Sequence, residues 1–191
     1  AQTTCDIYFQ HGGTTVDLSG FEHAAFVTPD EAAKLFERHV GGPVILINDA
    51  DAAGIAEMRF GAGVGRKGVV ILLTFGTGIG SAIFCDGVLL TNTEFGQLKI
   101  RGKDIEFRAS ERIREIKDIS FKKWAGIVGE FLEELEKLFS PELFLIGGGI
   151  SKKADKFLPY LKAKSQVPIE VAKMQNDAGI IGAATLAKIR S

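Results

Sequence analysis

The sequence is short of cysteine, of net charge and of long apolar runs. Its two cysteines, Cys5 and Cys85, in 191 residues make neither a disulfide framework nor a zinc spacing, and the chain reads as cytoplasmic. Lysine and arginine number 23 against 24 aspartates and glutamates, a net charge of −1. That balance speaks against a generic binder of nucleic acid or of an anionic membrane. No apolar run approaches the roughly 18 residues of a membrane-spanning helix. Ala1 to Asp6 has no basic start leading into an apolar stretch, so no signal peptide is read there. The three histidines, His11, His23 and His39, lack metal spacing and read as structural or surface residues. What remains is 46% hydrophobic and 25% charged, the make-up of one globular domain or two small lobes. Glycine alone is in excess. Its 23 residues are ~12% of the chain against an average near 7%, and they cluster.

The first 40 residues give weak signals: a strand at Cys5 to Phe9, a turn at Gly12-Gly13 and a helix over Pro29 to Val40 that Gly41-Gly42-Pro43 stops. Val44 to Ile47 is a continuous apolar run, the pattern of a strand buried on both faces, and it leads through Asn48-Asp49 into a helix ending near Phe60. Val69 to Phe75 predicts a second buried strand. Gly76 to Gly80 turns it back into Ser81 to Cys85, and Asp86-Gly87 marks a hairpin into Val88 to Leu90. Thr91 to Arg108 is polar and too long for a mere connector. Two helices follow, the second with Phe121, Trp124, Val128, Phe131, Leu132 and Leu135 at helical spacing. A buried strand at Leu143 to Ile146, a helix over about Lys152 to Lys164, a strand at Ile169 to Val171 and a helix over Asp177 to Ile189 complete an α/β pattern with a mixed sheet.

Three stretches have residue types suited to chemistry, and each also has a plain structural reading. Asp49 follows a strand end, where ligands of open α/β sheets bind; it is either a general base, with Asn48 as a polar anchor, or a helix cap. The Thr74 to Ser81 turn, with Gly76, Thr77, Gly78 and Gly80, is either an anion nest or a tight hairpin. It lacks the lysine of the common phosphate loop and the following helix of the dinucleotide fingerprint. Gly147, Gly148 and Gly149 precede a helix that opens with Ser151, Lys152 and Lys153; two ammonium groups there suit an extended anion or make a solvated cluster. Glu94, Gln97 and Glu106 have the groups that hydrogen-bond vicinal hydroxyls, as many surface loops do.

Taken in order, Asn48 to Gly54, Thr74 to Ser81, Thr91 to Gln97, Glu106 to Ser110, Gly147 to Lys153 and Asn176 to Ala184 resemble the polyphosphate glucokinase branch of the ROK sugar kinases. The resemblance runs from about Pro43 to Ala187. It implies the α/β, actin-like ATPase or ribonuclease-H-like kinase fold, in which glucose and a phosphoryl donor meet between two lobes. It implies Asp49 as the base for the sugar 6-hydroxyl, and Asn48, Glu94, Gln97 and Glu106 as substrate-binding positions. Gly76, Thr77, Gly78 and Gly80 match a phosphate loop, Gly147 to Gly149 the donor-side loop, and Lys152 with Lys153 a basic pair suited to polyphosphate.

Two departures accompany the resemblance. Many relatives have histidine where Gln97 stands, and zinc-dependent members have a cysteine-rich knuckle after it; Leu98 to Glu106 has no cysteine, so no zinc is expected. The family's opening Asp-x-Gly-Gly-Thr is matched only by Gln10-His11-Gly12-Gly13-Thr14, with glutamine in place of the aspartate. The expected organisation is a partial N-terminal lobe over residues 1–66 and a C-terminal ribonuclease-H-like lobe over residues 67–191. The expected activity is phosphoryl transfer from polyphosphate or ATP to the 6-hydroxyl of glucose or a related hexose, with Mg²⁺ accompanying the donor and no protein metal site. The alternative is a weakly active or non-catalytic sugar-binding regulatory protein or kinase fragment. The family often dimerises through its C-terminal lobe, although the Phe121 to Leu138 stripe reads as core before interface.

Overall fold

Strand β1 (Val69–Phe75) is apolar at nearly every position because both of its faces are covered. The structure is a computed structural model that describes residues 29–190. The expected strand at Cys5 to Phe9, the Gly12-Gly13 turn, the Gly12-Gly13-Thr14 match, His11 and His23 lie outside the described residues. Strand β1 pairs antiparallel with β2 (Ile79–Cys85), which pairs antiparallel with β3 (Val88–Leu90). The β2–β3 connection is Asp86-Gly87, both at positive φ, the two-residue turn whose twist matches a hairpin. On its other side β1 runs parallel to β6 (Leu143–Gly147), and β6 runs parallel to β7 (Ile169–Val171). The sheet order is thus β3-β2-β1-β6-β7.

Alternate β1 residues supply two different cores, as the two-residue period of a strand requires. Ile71, Leu73 and Phe75 join Phe144 and Ile146 beneath α5 (Phe121–Phe139) and α6 (Ala154–Lys162). Trp124 sits edge-on to both Phe75 and Phe157, with ring centroids 5.2 and 5.0 Å apart, and its indole N–H donates to Ala109 O at 2.7 Å. The α5 stripe is therefore core from Trp124 to Leu135, while Leu138 at its end is exposed; each fully buried Phe or Leu contributes about 1.5–3 kcal/mol. Val70, Leu72, Ala82, Phe84, Leu143 and Leu145 fill the opposite face with Ala53, Ile55 and Met58 of α2 (Asp49–Phe60).

Helix α7 (Ala178–Arg190) lies against α2 so closely that a Cβ on Gly182 would stand 1.7 Å from Ala52 O. The Glu57 carboxylate, wholly buried, accepts the N–H groups of Ala62 at 2.9 Å and Met174 at 2.6 Å. Those bonds fix the lower end of α2 to the segment that leads into α7. Helix α1 (Pro29–Val40) matches the span read from the sequence.

The Val44 to Ile47 run departs from expectation. It is half-buried and belongs to no ladder among the described residues; the Val44 N–H is instead taken by the Glu37 carboxylate at 3.2 Å. An apolar run specifies a strand only where a neighbouring edge offers hydrogen bonds.

Candidate active site

Asn48 decides where α2 begins. Its side-chain oxygen accepts the N–H of Ala50 at 2.9 Å and of Asp51 at 3.3 Å, so the cap is Asn48. Asp49 is the first helical residue, on the exposed side, with Oδ1 2.7 Å from the Ala50 N–H. A carboxylate in the first turn is favoured by the helix dipole.

The β1–β2 turn approaches this helix end. A Cβ on Gly80 would lie 2.9 Å from Ala50 Cβ and 4.0 Å from Asp49 Oδ1, and one on Gly78 would lie 2.4 Å from Glu106 Oε2. Glycine at these two positions lets the turn fit between two carboxylates. Glu106, which opens the short helix α3 (Glu106–Ala109), accepts the Ile79 N–H at 3.0 Å. Within the turn, Gly76 N–H bonds Gly78 O at 3.0 Å and Thr77 is exposed. The turn is a hairpin connection and a wall of the site at once.

The third carboxylate, Glu94, comes from the loop after β3. Partial burial, then the charges of Glu106 and Asp49, holds its carboxyl above the usual range. Asp49, Glu94 and Glu106 are thus electrostatic neighbours, although they come from a helix start, a loop and a second helix start. The loop is anchored by Ser81, whose hydroxyl donates to Thr93 O at 2.8 Å and accepts the Phe95 N–H at 3.0 Å. Gln97 ends the 3-10 turn Phe95–Gln97 and is exposed. The stretch to Arg108 also holds a small ladder of β4 (Lys99–Ile100) with β5 (Lys103–Asp104).

At the segment expected to face the donor, Gly147 closes β6 beside Thr74. Gly148 has φ +80, and a Cβ there would lie 2.4 Å from Phe75 O; only glycine satisfies both constraints. Gly149–Lys153 forms a 3-10 turn before α6, so the expected helix starts later than the lysines. Lys152 is exposed. The Lys153 ammonium donates to Glu111 at 2.8 Å and Glu115 at 3.0 Å, both on α4 (Glu111–Ile116). These bonds, Glu111 first, raise the Lys153 pKa.

Asp51, Ser81 and Glu111 were not singled out from the sequence, because each acts on residues distant along the chain. A groove of about 540 Å³ borders Asn48, Asp51 and Asn92 and continues over Ile45, Met58 and Leu186. Asp49, Glu94 and Glu106 do not line it; they sit on the open face beside the glycine turn.

Known proteins are similar in sequence and fold. The profile described as ROK family matches residues 25–99. The polyphosphate glucokinase of Mycobacterium tuberculosis (strain ATCC 25618 / H37Rv) is 51% identical over 144 residues, 75% of this chain and 54% of the relative. The chain belongs to the ROK family. Among solved structures, the inorganic polyphosphate/ATP-glucomannokinase from Arthrobacter sp. strain KM superposes with a TM-score of 0.79 at 46% identity, over 84% of this chain and 63% of that one. A ROK family glucokinase from Streptomyces griseus, solved with glucose and AMPPNP, gives 0.69 at 25% identity over 83% and 72%. The mixed sheet and its flanking helices are therefore those of a ROK sugar kinase. The chain spans about half the length of the curated polyphosphate glucokinases that it matches.

Proposed function

We propose that this ROK chain takes part in phosphoryl transfer from polyphosphate or ATP to the 6-hydroxyl of glucose, giving glucose 6-phosphate. The observation that carries the reading is the meeting of Asp49, Glu94 and Glu106 around the Gly78 to Gly80 turn. Identity of 51% and 48% to polyphosphate glucokinases over 75% and 74% of the chain supports it.

Asp49 is the general base. As the bond from O6 to the terminal phosphorus forms and the bridging P–O bond breaks, the hydroxyl proton passes to a carboxylate oxygen of Asp49. The remaining phosphate chain, or ADP, leaves with the electron pair of the broken bond. Glu94, Glu106 and Gln97 accept hydrogen bonds from the other sugar hydroxyls, and Asn48 keeps its oxygen on the helix cap, leaving its amide group to donate to the sugar. Such transfer depends on positioning and on stabilisation of charge more than on covalent chemistry by the protein.

Gly76 to Gly80 and Gly147 to Gly149 line the path of the phosphates, with Lys152 as the exposed positive charge. Among the described residues no group of three or more His, Cys, Asp or Glu is placed to hold a metal ion, and Glu111 and Glu115 on the donor side are engaged by Lys153. These residues do not form a cage for Mg²⁺, which in this reading arrives as the counter-ion of the phosphate substrate.

A coupled assay for glucose 6-phosphate, run with polyphosphate and with ATP, tests the proposal alongside calorimetry of glucose binding. Product with either donor supports it. Glucose binding without product from either donor favours the non-catalytic reading, and absence of both sinks the assignment of the site.

A further inference from the structure

Asp51 is 1% exposed and lies two residues beyond Asp49, on the inner side of α2. One of its oxygens, Oδ2, accepts the backbone N–H of Asn92 at 3.0 Å, across 41 residues of sequence. The other, Oδ1, is buried with no hydrogen-bond partner. Burying a half-satisfied carboxyl is costly, and capping does not account for it, because Asn48 already caps α2. The benefit falls on the loop. Asn92 adopts a left-handed conformation (φ +62), which asparagine tolerates better than most residues, and Glu94 follows two residues later.

The loop from Thr91 to Gln97 is held to the sheet by Ser81 through Thr93 and Phe95. Asp51 holds its leading end to the helix that begins with Asp49. We infer that Asp51 is a positioning residue, a strut that sets the spacing between the Asp49 end of α2 and the Glu94 loop. It touches no reacting atom. The inference rests on the proposed sugar kinase reading for what the spacing serves, but the strut itself is a matter of geometry.

Burial, and then the like charges of Asp49 and Glu94, oppose ionisation of the carboxyl group, against the bond from Asn92. What it supplies is an acceptor at one fixed place, which an amide oxygen supplies equally. The strut therefore predicts a split between two variants. In Asp51→Ala the Asn92 N–H loses its acceptor, and the loop carrying Glu94 gains freedom. The KM for glucose should rise ~10-fold or more, while kcat falls far less than in a variant lacking the base. In Asp51→Asn the acceptor is kept, and KM should stay within ~2-fold of the parent.

The experiment combines steady-state kinetics in glucose with hydrogen exchange of the Asn92 amide, on the parent, Asp51→Ala and Asp51→Asn. Protection of Asn92 in the parent and the asparagine variant, its loss in the alanine variant, and the matching KM pattern support the strut. Equal Asn92 protection and equal KM in all three would overturn it. Should the alanine variant not fold, Asp51→Asn decides alone: retained protection with retained KM supports an acceptor role, and a tenfold rise in KM shows that the charge matters and removes the inference. If the parent neither binds nor phosphorylates glucose, the kinase reading fails, while the exchange of Asn92 still judges the strut.

Discussion

Lys153 donates to Glu111 at 2.8 Å across 42 residues of sequence, so the turn after β6 is held against α4 by its own lysine. Glu111 also lies against Gly149, where a Cβ would stand 2.5 Å from its carboxylate. Of the two adjacent lysines, one is committed to this contact and the other, Lys152, is exposed. They therefore differ in what their removal should do.

Lys152→Ala should raise the KM for polyphosphate while leaving that for glucose nearly unchanged, and added salt should weaken polyphosphate use in the parent more than in the variant. Lys153→Ala should also loosen the donor-side turn, lowering kcat with both polyphosphate and ATP. Steady-state kinetics at two ionic strengths separate these outcomes. Identical behaviour of the two variants counts against the division of roles.

Asp49→Asn is nearly isosteric. Turnover should fall ~10²-fold or more, while calorimetry finds glucose affinity within a few-fold of the parent. Unchanged turnover in a folded variant removes Asp49 as the base.

Gly182→Ala places a methyl group where Ala52 O already lies. Since the obstacle is backbone within a helix, α2 and α7 must separate, a cost of about 1–3 kcal/mol. Thermal unfolding should shift down by several degrees, with Asp49-dependent turnover lowered in the same sample. A variant with the parent's melting temperature would show that the helices are less tightly apposed.

Burial holds the Asp51 carboxyl above its ordinary value of 3.8, against the lowering effect of its bond from Asn92; the charges of Asp49 and Glu94 add to the rise. The sign follows from linkage. A folded pKa above the unfolded one means that folding binds this proton, so its contribution to stability is complete below the unfolded value and declines as pH rises through the folded one. Melting temperatures of the parent and Asp51→Asn, compared from pH 3 upward, should diverge in favour of the variant as pH increases. Parallel curves would show that Asp51 does not titrate differently in the folded state.

Much of the sheet was legible because its central strands are continuous apolar runs: Val69 to Phe75 and Leu143 to Ile146 are strands almost to the residue. Val44 to Ile47 has the same pattern without the same outcome, since side chains alone do not supply a ladder partner. The Arg101-Gly102 turn between β4 and β5, both residues at positive φ, was hidden because arginine is no turn signal. The site was legible as separate segments. Its ties were not: Asp51 and Ser81 accept the backbone N–H groups of Asn92 and Phe95, and Glu111 accepts from Lys153, and nothing local distinguishes these polar side chains from solvent-facing neighbours.

The apposition of Ala52 and Gly182, with the bond from Met174 to Glu57, also bears on the order of synthesis. The helix that begins with Asp49 is made before its seat, which is completed only when residues 174–182 have left the ribosome. Until then its apolar side has β1 and β2 but no outer cover, and the two halves of the contact are separated by more than a hundred residues. Closing so long a loop slows folding. Premature termination shortly before α7 should therefore yield chains with an exposed apolar surface, prone to association before α2 is seated.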